Sequence, residues 1–227
     1  MTLQSIDKGK IYLYFFLLFF LLSIHNINSL KFVKNFFKIN KIILESELDE
    51  NLNEKIYNSM HQFYNYNIFS INADEIREKL NEFNSISEYR VKKEFPSVIK
   101  IELKPTEILA YYFENNQKIY LGENGKKING NELFKDNLPL IVGQFDTQNF
   151  FTLKEKLMIH GFIIEDFKKF YSYKSKRWDL LYNSIIIKLP IDDLDNALIK
   201  LKEIINNLDI NNLNVIDLRN KNNIILS

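Results

Sequence analysis

The chain opens on its densest apolar stretch. Ile11 to Leu22 is an almost unbroken run of Leu, Ile, Phe and Tyr, and residues 11–30 carry no formal charge. As a helix rising about 1.5 Å per residue, that stretch covers roughly 30 Å, the thickness of a hydrocarbon core. Its Leu, Ile and Phe side chains each favour insertion by about 0.3–0.6 kcal/mol, and the polar Ser23, His25, Asn26, Asn28 and Ser29 gather near one end, where they cost least. The pattern predicts a membrane-spanning helix over 11–30. A cleaved signal peptide would share the charged start at Lys8 and Lys10 and the short apolar core, but no small-x-small cleavage site follows Leu22.

Beyond this segment the period changes twice. Phe37 to Leu44 reads as a strand, and Asp49 or Glu50 then opens a helix in which Leu52, Ile56, Met60 and Phe63 share one face. A second helix starts at Asn72, with Glu75 three residues on completing a capping-box-like pair. Ile71 and Ile76 hold the staple positions, and the buried stripe runs on through Leu80 and Phe83. Two strands follow, Ile86 to Lys93 and Val98 to Lys104, broken at Phe95-Pro96. In the second, Ile99, Ile101 and Leu103 alternate with Lys100, Glu102 and Lys104, so one sheet face is packed and the other wet.

After Pro105 the pattern is mainly β. Ile108 to Phe113 and Lys118 to Leu121 lead to a turn at Gly122 to Gly125, and Leu138 to Gly143 and Ile185 to Leu189 follow. A helix from Asp192 to Leu208 buries Leu194, Leu198, Leu201 and Ile205, and the last apolar segments are Val215 to Arg219 and Ile224 to Leu226. The expected fold class is α+β: a transmembrane helix, a β-α-α-β-β module, then a mostly antiparallel β domain with flanking helices. The expected divisions are a tail at 1–10, the membrane helix at 11–30, the module at 31–105 and the β domain at 106–227.

Composition narrows the function. With 46% hydrophobic and 26% charged residues in 227, the chain can bury a real core. A formal charge of +1 supplies no field for nucleic acid. The lack of cysteine excludes disulfides, thiol nucleophiles and Cys-based metal sites. The bias toward Ile, Asn, Lys and Phe fits AT-rich coding, which makes Asn-rich loops uninformative.

Candidate chemistry is sparse. His25 ends the apolar segment, while His61 and His160 stand alone within helical stretches, and neither HExxH nor Gly-x-Ser-x-Gly occurs. Asp192, Asp193 and Asp195 lack the Gly and distal Glu of a calcium loop, and acids are expected in the first turn of a helix. Gly122 to Lys126 has two residues between its glycines where a Walker loop needs four, so it reads as a hairpin turn. The expectation is no catalytic residue, no cofactor and no metal. Trp178, the sole tryptophan, is either an interface anchor or a core residue.

The ordered motifs carry a resemblance. Asn67-Ile68-Phe69-Ser70-Ile71-Asn72, then Tyr89 to Pro96 and Ile99 to Leu103, resemble the POTRA domain of FtsQ/DivIB proteins. Leu138 to Gly143, Lys176 to Leu180, Ile185 to Pro190 and Val215-Ile216-Asp217-Leu218-Arg219 follow the same family's β domain in order. The resemblance implies a non-enzymatic protein of the bacterial division septum. It would be single-pass in the inner membrane, with a short cytoplasmic N-terminus and an exported body. Charge alone points the other way, because Lys31, Lys34, Lys38 and Lys41 follow the apolar segment; the resemblance sets the orientation.

The resemblance also implies partners. An FtsB–FtsL complex would be received at the C-terminal edge, by Arg219, Asn220, Asn223, Ile224, Ile225 and Leu226, with Trp178 as a candidate anchor. FtsK would be met through Glu88, Val91 and Lys93. Where the family often carries aromatic anchors at the edge, this chain has Asn, Ile and Leu. The physical device is β-augmentation, in which a sheet margin with unpaired N–H and C=O groups accepts a partner's strand. Two rivals remain: a chaperone-like POTRA module of membrane-protein assembly, which would bind many β-segments, and a periplasmic enzyme, which would gather acids or histidines in a pocket.

Overall fold

The computed structural model describes residues 8–23, 35–130, 137–208, 210, 213–221 and 223–227. Helix α1 spans Lys8–Ser23, 16 residues, and every described side chain from Lys8 to Leu22 on it is exposed. Among the described residues no helix is long and apolar enough to cross a membrane. The helix expected over 11–30 is therefore described only in its first part, and residues 24–30 and the start of the tail, 1–7, lie outside the described residues.

The chain divides into two compact units, Met1–Phe83 with Glu88–Lys104, and Asn84–Ser87 with Pro105–Ser227. In the first, β1 (Lys41–Ser46), α2 (Glu50–Met60), α3 (Ala73–Asn81), β2 (Ile86–Glu94) and β3 (Val98–Pro105) give the expected β-α-α-β-β order. The sheet runs β1-β3-β2, with β1 parallel to β3 from Lys41 opposite Val98 to Ser46 opposite Leu103. Ion pairs from Glu88 to Lys104 at 3.0 Å and from Glu102 to Lys92 at 2.6 Å show that β2 and β3 run in opposite directions.

Local signals decide where these elements begin. Asp49 caps α2, its carboxylate accepting from the Leu52 N–H at 3.0 Å, and Leu52, Ile56, Met60 and Phe63 are buried as their spacing predicts. Asn72 caps α3 by accepting from Asp74, two residues on, rather than through the reciprocal pair with Glu75. β1 starts at Lys41, later than Phe37, because the residues before it pair elsewhere. The Ile68 N–H donates to the Phe37 carbonyl and the Ile39 N–H to that of Tyr66, each at 2.9 Å. In β3 the buried Ile99, Ile101 and Leu103 alternate with wetter lysines and a glutamate.

The second unit holds β4 (Ile108–Glu114), β5 (Gln117–Gly122), β6 (Lys127–Asn129), β7 (Leu140–Val142), α4 (Thr147–Ile159), β8 (Phe167–Ser172), β9 (Trp178–Tyr182), β10 (Ile185–Lys188), α5 (Leu194–Asn207), β11 (Val215–Asp217) and β12 (Ile225–Leu226). Its nine described strands lie in the order β12-β11-β10-β9-β8-β7-β4-β5-β6. The sheet is mixed. Antiparallel pairing joins β4–β5, β5–β6, β8–β9, β9–β10 and β11–β12, but β4–β7, β7–β8 and β10–β11 are parallel. Five of these eight pairs are antiparallel, as expected. Two of the parallel ones have a common cause: α4 carries the chain from β7 to β8 and α5 from β10 to β11, and such a crossover returns a strand in its original direction.

One row through the sheet, Ile216, Ile187, Leu180, Phe170 and Ile141 in register, is buried. It belongs to one core with Phe150, Leu153 and Leu157 of α4 and Ala197, Leu198, Leu201 and Ile204 of α5. On α5 the buried face ends on Ile204 rather than on Ile205, which is only partly covered.

Candidate partner-binding edge

The last strand sits where the sequence places it and forms the margin at this end of the sheet. β12 pairs antiparallel with β11, Leu226 opposite Ile216 and Ile225 opposite Asp217, so the chain itself covers β11. Ser227 and Val215 exchange both backbone bonds, at 3.2 and 2.9 Å, and the Asn214 N–H also donates to the Ser227 carbonyl. The outer edge of this end of the sheet is therefore β12. Antiparallel residues alternate between bonded and unbonded pairs, so Leu226, beside the bonded Ser227, turns its N–H and C=O away from β11. Its side chain and those of Ile224 and Ile225 stay 40, 38 and 58% exposed.

The connection between the two strands is fastened at several points. The Asp217 carboxylate accepts from the Arg219 backbone N–H at 3.1 Å and from its Nε at 2.8 and 3.0 Å. The hydrogen-bonded guanidinium holds the Asp217 carboxyl below the usual carboxylate range, against a smaller opposing effect of burial. Lys221 pairs with Asp193 at 3.3 Å, and Lys200 Nζ donates to the Lys221 carbonyl at 2.6 Å, which ties the connection to α5. Asn220 and Asn223 are exposed.

Behind this edge lies a row that sequence reasoning missed. Asp217, Lys188 and Asp179 stand opposite one another on β11, β10 and β9, on the face away from the buried Ile216 row. Charges alternate along it, and Asp179, buried, accepts from the Tyr173 hydroxyl at 2.9 Å with Arg177 alongside at 3.3 Å. The Asp179 carboxylate pushes the Tyr173 hydroxyl up. A readable signal existed: in Trp178-Asp179-Leu180 and Ile187-Lys188-Leu189 each charge sits between two buried residues, the period of a strand.

Trp178 is not at the edge. It is 4% exposed, with its ring 5.9 Å from that of Phe150 and 6.3 Å from Phe145, so of its two readings the structure gives the core residue. In the first unit, Glu88, Val91 and Lys93 lie on β2, an edge strand of its sheet. Val91 and Lys93 share one face and Glu88 stands on the other. Lys93 Nζ donates to the Ile71 carbonyl at 2.7 Å and Glu88 is bound to Lys104, so both charges have internal partners.

The acidic cluster is likewise engaged. Asp195 receives His160 Nε2 at 3.1 Å and Lys156 Nζ, Asp193 pairs with Lys221, and among the described residues no group of three or more His, Cys, Asp and Glu could hold a metal. Gly122 to Lys126 is the hairpin turn between β5 and β6, closed by the Gly122 N–H donating to the Lys126 carbonyl at 3.1 Å. An open cavity of about 820 Å³ is lined by Tyr112, Lys127, Asp146, Tyr173 and Lys176 among others. Lys127 there is held up by its bond to Glu114.

The comparisons with known proteins follow the two units. Residues 37–104 match the model of the FtsQ-type POTRA domain, and residues 110–219 match that of the FtsQ/DivIB cell division protein C-terminal region. A cell division protein FtsQ of Rickettsia bellii is 31% identical over 191 residues, covering 82% of this chain and 70% of the relative. The FtsQ proteins of Rickettsia conorii and Rickettsia felis are 30% and 29% identical with the same coverage. An ordered match through both units, at this identity and coverage, makes this chain a member of the FtsQ/DivIB family of cell division proteins.

Proposed function

We propose that this chain is a non-enzymatic scaffold of the bacterial divisome. Residues 1–10 lie in the cytoplasm, 11–30 cross the inner membrane once, and the POTRA domain at 31–105 and the β domain at 106–227 work on the periplasmic side at the septum. The C-terminal edge strand receives an FtsB–FtsL complex and so helps control septal wall synthesis. The observation that carries the reading is β12: a two-residue strand at a sheet margin, which together with Ile224 just before it exposes three aliphatic side chains and turns the Leu226 backbone outward. A partner's strand would complete its hydrogen bonds while its side chains cover Ile224, Ile225 and Leu226.

The contact set consists of Arg219, Asn220, Asn223, Ile224, Ile225 and Leu226. Trp178 acts from the core and leaves the set. Arg219 contributes by holding the connection in place, since its guanidinium is committed to Asp217. Recruitment through an FtsK-like partner uses β2, whose backbone lies at the edge of the other sheet. Tethering by the helix that includes α1 raises the local concentration of membrane-bound partners, so modest interfaces suffice.

Affinity capture of the tagged full chain from membranes tests the reading. Recovery of small single-pass FtsB- and FtsL-like proteins supports it. Recovery of many unfolded outer-membrane β-proteins in their place would favour the chaperone-like alternative and overturn it.

A further inference from the structure

The first unit carries an aromatic surface that neither edge explains. Phe36, Phe69 and Phe95 are 50, 62 and 58% exposed, although large apolar side chains usually face inward. They are contiguous through ring contacts: Phe36 to Phe37 at 5.3 Å, Phe37 to Phe69 at 5.0 Å, and Phe69 stacked on Phe95 at 4.9 Å. Three separate backbone segments build this patch. Phe37 is pinned beside the 65–68 loop by the bond from Ile68; the Asn67 side chain accepts from the Phe69 N–H at 2.9 Å and holds that turn; Phe95 sits in the turn between β2 and β3. An arrangement held at each of its three sources is a fixed surface feature and not a stray exposed ring.

We propose that this patch seats the POTRA domain in the interfacial layer of the bilayer that α1 enters; the inference rests on the membrane anchoring proposed above. Two observations select a lipid surface. The first is reach: at most about 40 Å of extended chain separates Ser23 from Asn35, so the patch cannot lie farther than that from the end of α1. The second is charge. Lys38 directly follows Phe37 and pairs with Asn67, two residues before Phe69, and Lys41 lies three residues further on, against Glu94 next to Phe95, a local excess of basic residues suited to anionic headgroups. Aromatic rings beside lysines favour the headgroup level, where the rings lie among the upper acyl chains and the ammonium groups remain wet.

The chain has no cysteine, so single labels can be placed in the full-length protein without removing one. Nitroxide labels at Phe19→Cys on α1, Ser70→Cys beside the patch and Met158→Cys on the second unit are read in vesicles of phosphatidylethanolamine and phosphatidylglycerol. The quantity compared is the ratio of oxygen to nickel-chelate accessibility. The expected result is a ratio at Ser70 several-fold above that at Met158, which falls to the Met158 level when Phe36, Phe69 and Phe95 are all replaced by Ser. A Ser70 label that matches Met158 while Phe19 remains lipid-like overturns the patch and leaves the anchor standing. A Phe19 label open to the chelate overturns both. Protection of Ser70 from both reagents also overturns it, in favour of a protein covering the rings.

Discussion

The Arg219 guanidinium closes on the carboxylate of Asp217, two residues before it, with Nε 2.8 Å from one oxygen and 3.0 Å from the other. The fork sits where β11 ends and the chain turns back toward β12. Arg219→Ala should therefore loosen the edge, at a cost of about 1 kcal/mol because the arginine is half exposed. Arg219→Lys keeps the charge but loses the fork and should fall between the two. Denaturant unfolding of the purified full chain measures the change; an unaltered midpoint in Arg219→Ala would show that the fork is ornamental.

The same pair sets a pH dependence. The folded carboxyl of Asp217 is lowered, so its stabilisation is complete above the ordinary carboxylate range near about pH 4 and is lost as pH falls through the lowered value. Asp217→Asn should be less stable than the native chain at neutral pH, and the gap should close as pH falls through the lowered value. A gap of constant size across an acid titration of stability contradicts the assignment.

Leu226 and Ile225 should respond differently to proline. At Leu226 the lost N–H faces the open margin, so Leu226→Pro should leave the fold within about 0.5 kcal/mol of native yet abolish capture of the partner strand. At Ile225, opposite Asp217 in a bonded pair, proline removes an internal bond and should also lower stability. Pull-down and thermal unfolding read together separate the two effects. Full capture by Leu226→Pro would remove β12 from the interface.

Trp178→Ala should cost about 3–5 kcal/mol, as for a large buried aromatic ring. Trp178→Phe should lose less and retain partner capture, because the indole touches Phe145, Phe150 and Phe170 and not the margin. Loss of capture with intact stability in Trp178→Phe would return this residue to the interface.

Gly143 holds a backbone φ of +97° where β7 ends, and a Cβ there would meet the Ser172 carbonyl oxygen at 2.4 Å. Gly143→Ala should destabilise the second unit by on the order of 2 kcal/mol, combining strain with a backbone clash. A melting temperature equal to that of the native chain would mean that β7 and β8 can move apart at no cost.

Periodicity made the first unit legible nearly to the residue. Asp49 and Asn72 start their helices, Ile99-Ile101-Leu103 names the buried face of β3, and the element order identifies the module. The error there, a strand begun at Phe37, arose because a long-range partner at residues 65–68 competes for that backbone. In the second unit the sequence marks α4 only as a helical stretch around His160, without bounds, although Asp146 caps it and Phe150, Leu153 and Leu157 keep helical spacing. Three-residue β6 is too short to show a period, and in β8 a register irregularity sets the buried Phe167 and Phe170 three apart, which breaks the alternation. The dismissal of asparagine as compositional bias was also wrong in places: Asn115, Asn116 and Asn183 hold left-handed turns between paired strands, the conformation asparagine tolerates best. At the edge, the aliphatic run at 224–226 was visible, but its folding back onto β11 depends on register, which no local pattern encodes.

The parallel junction of β10 with β11 is closed by residues 194–214, and β12 has nothing to lie against until that closure is made. On the function proposed above, docking competence thus depends on that closure. A companion adding a strand there, as proposed, would inspect the finished product, and a chain stalled short of this crossover would offer it no footing.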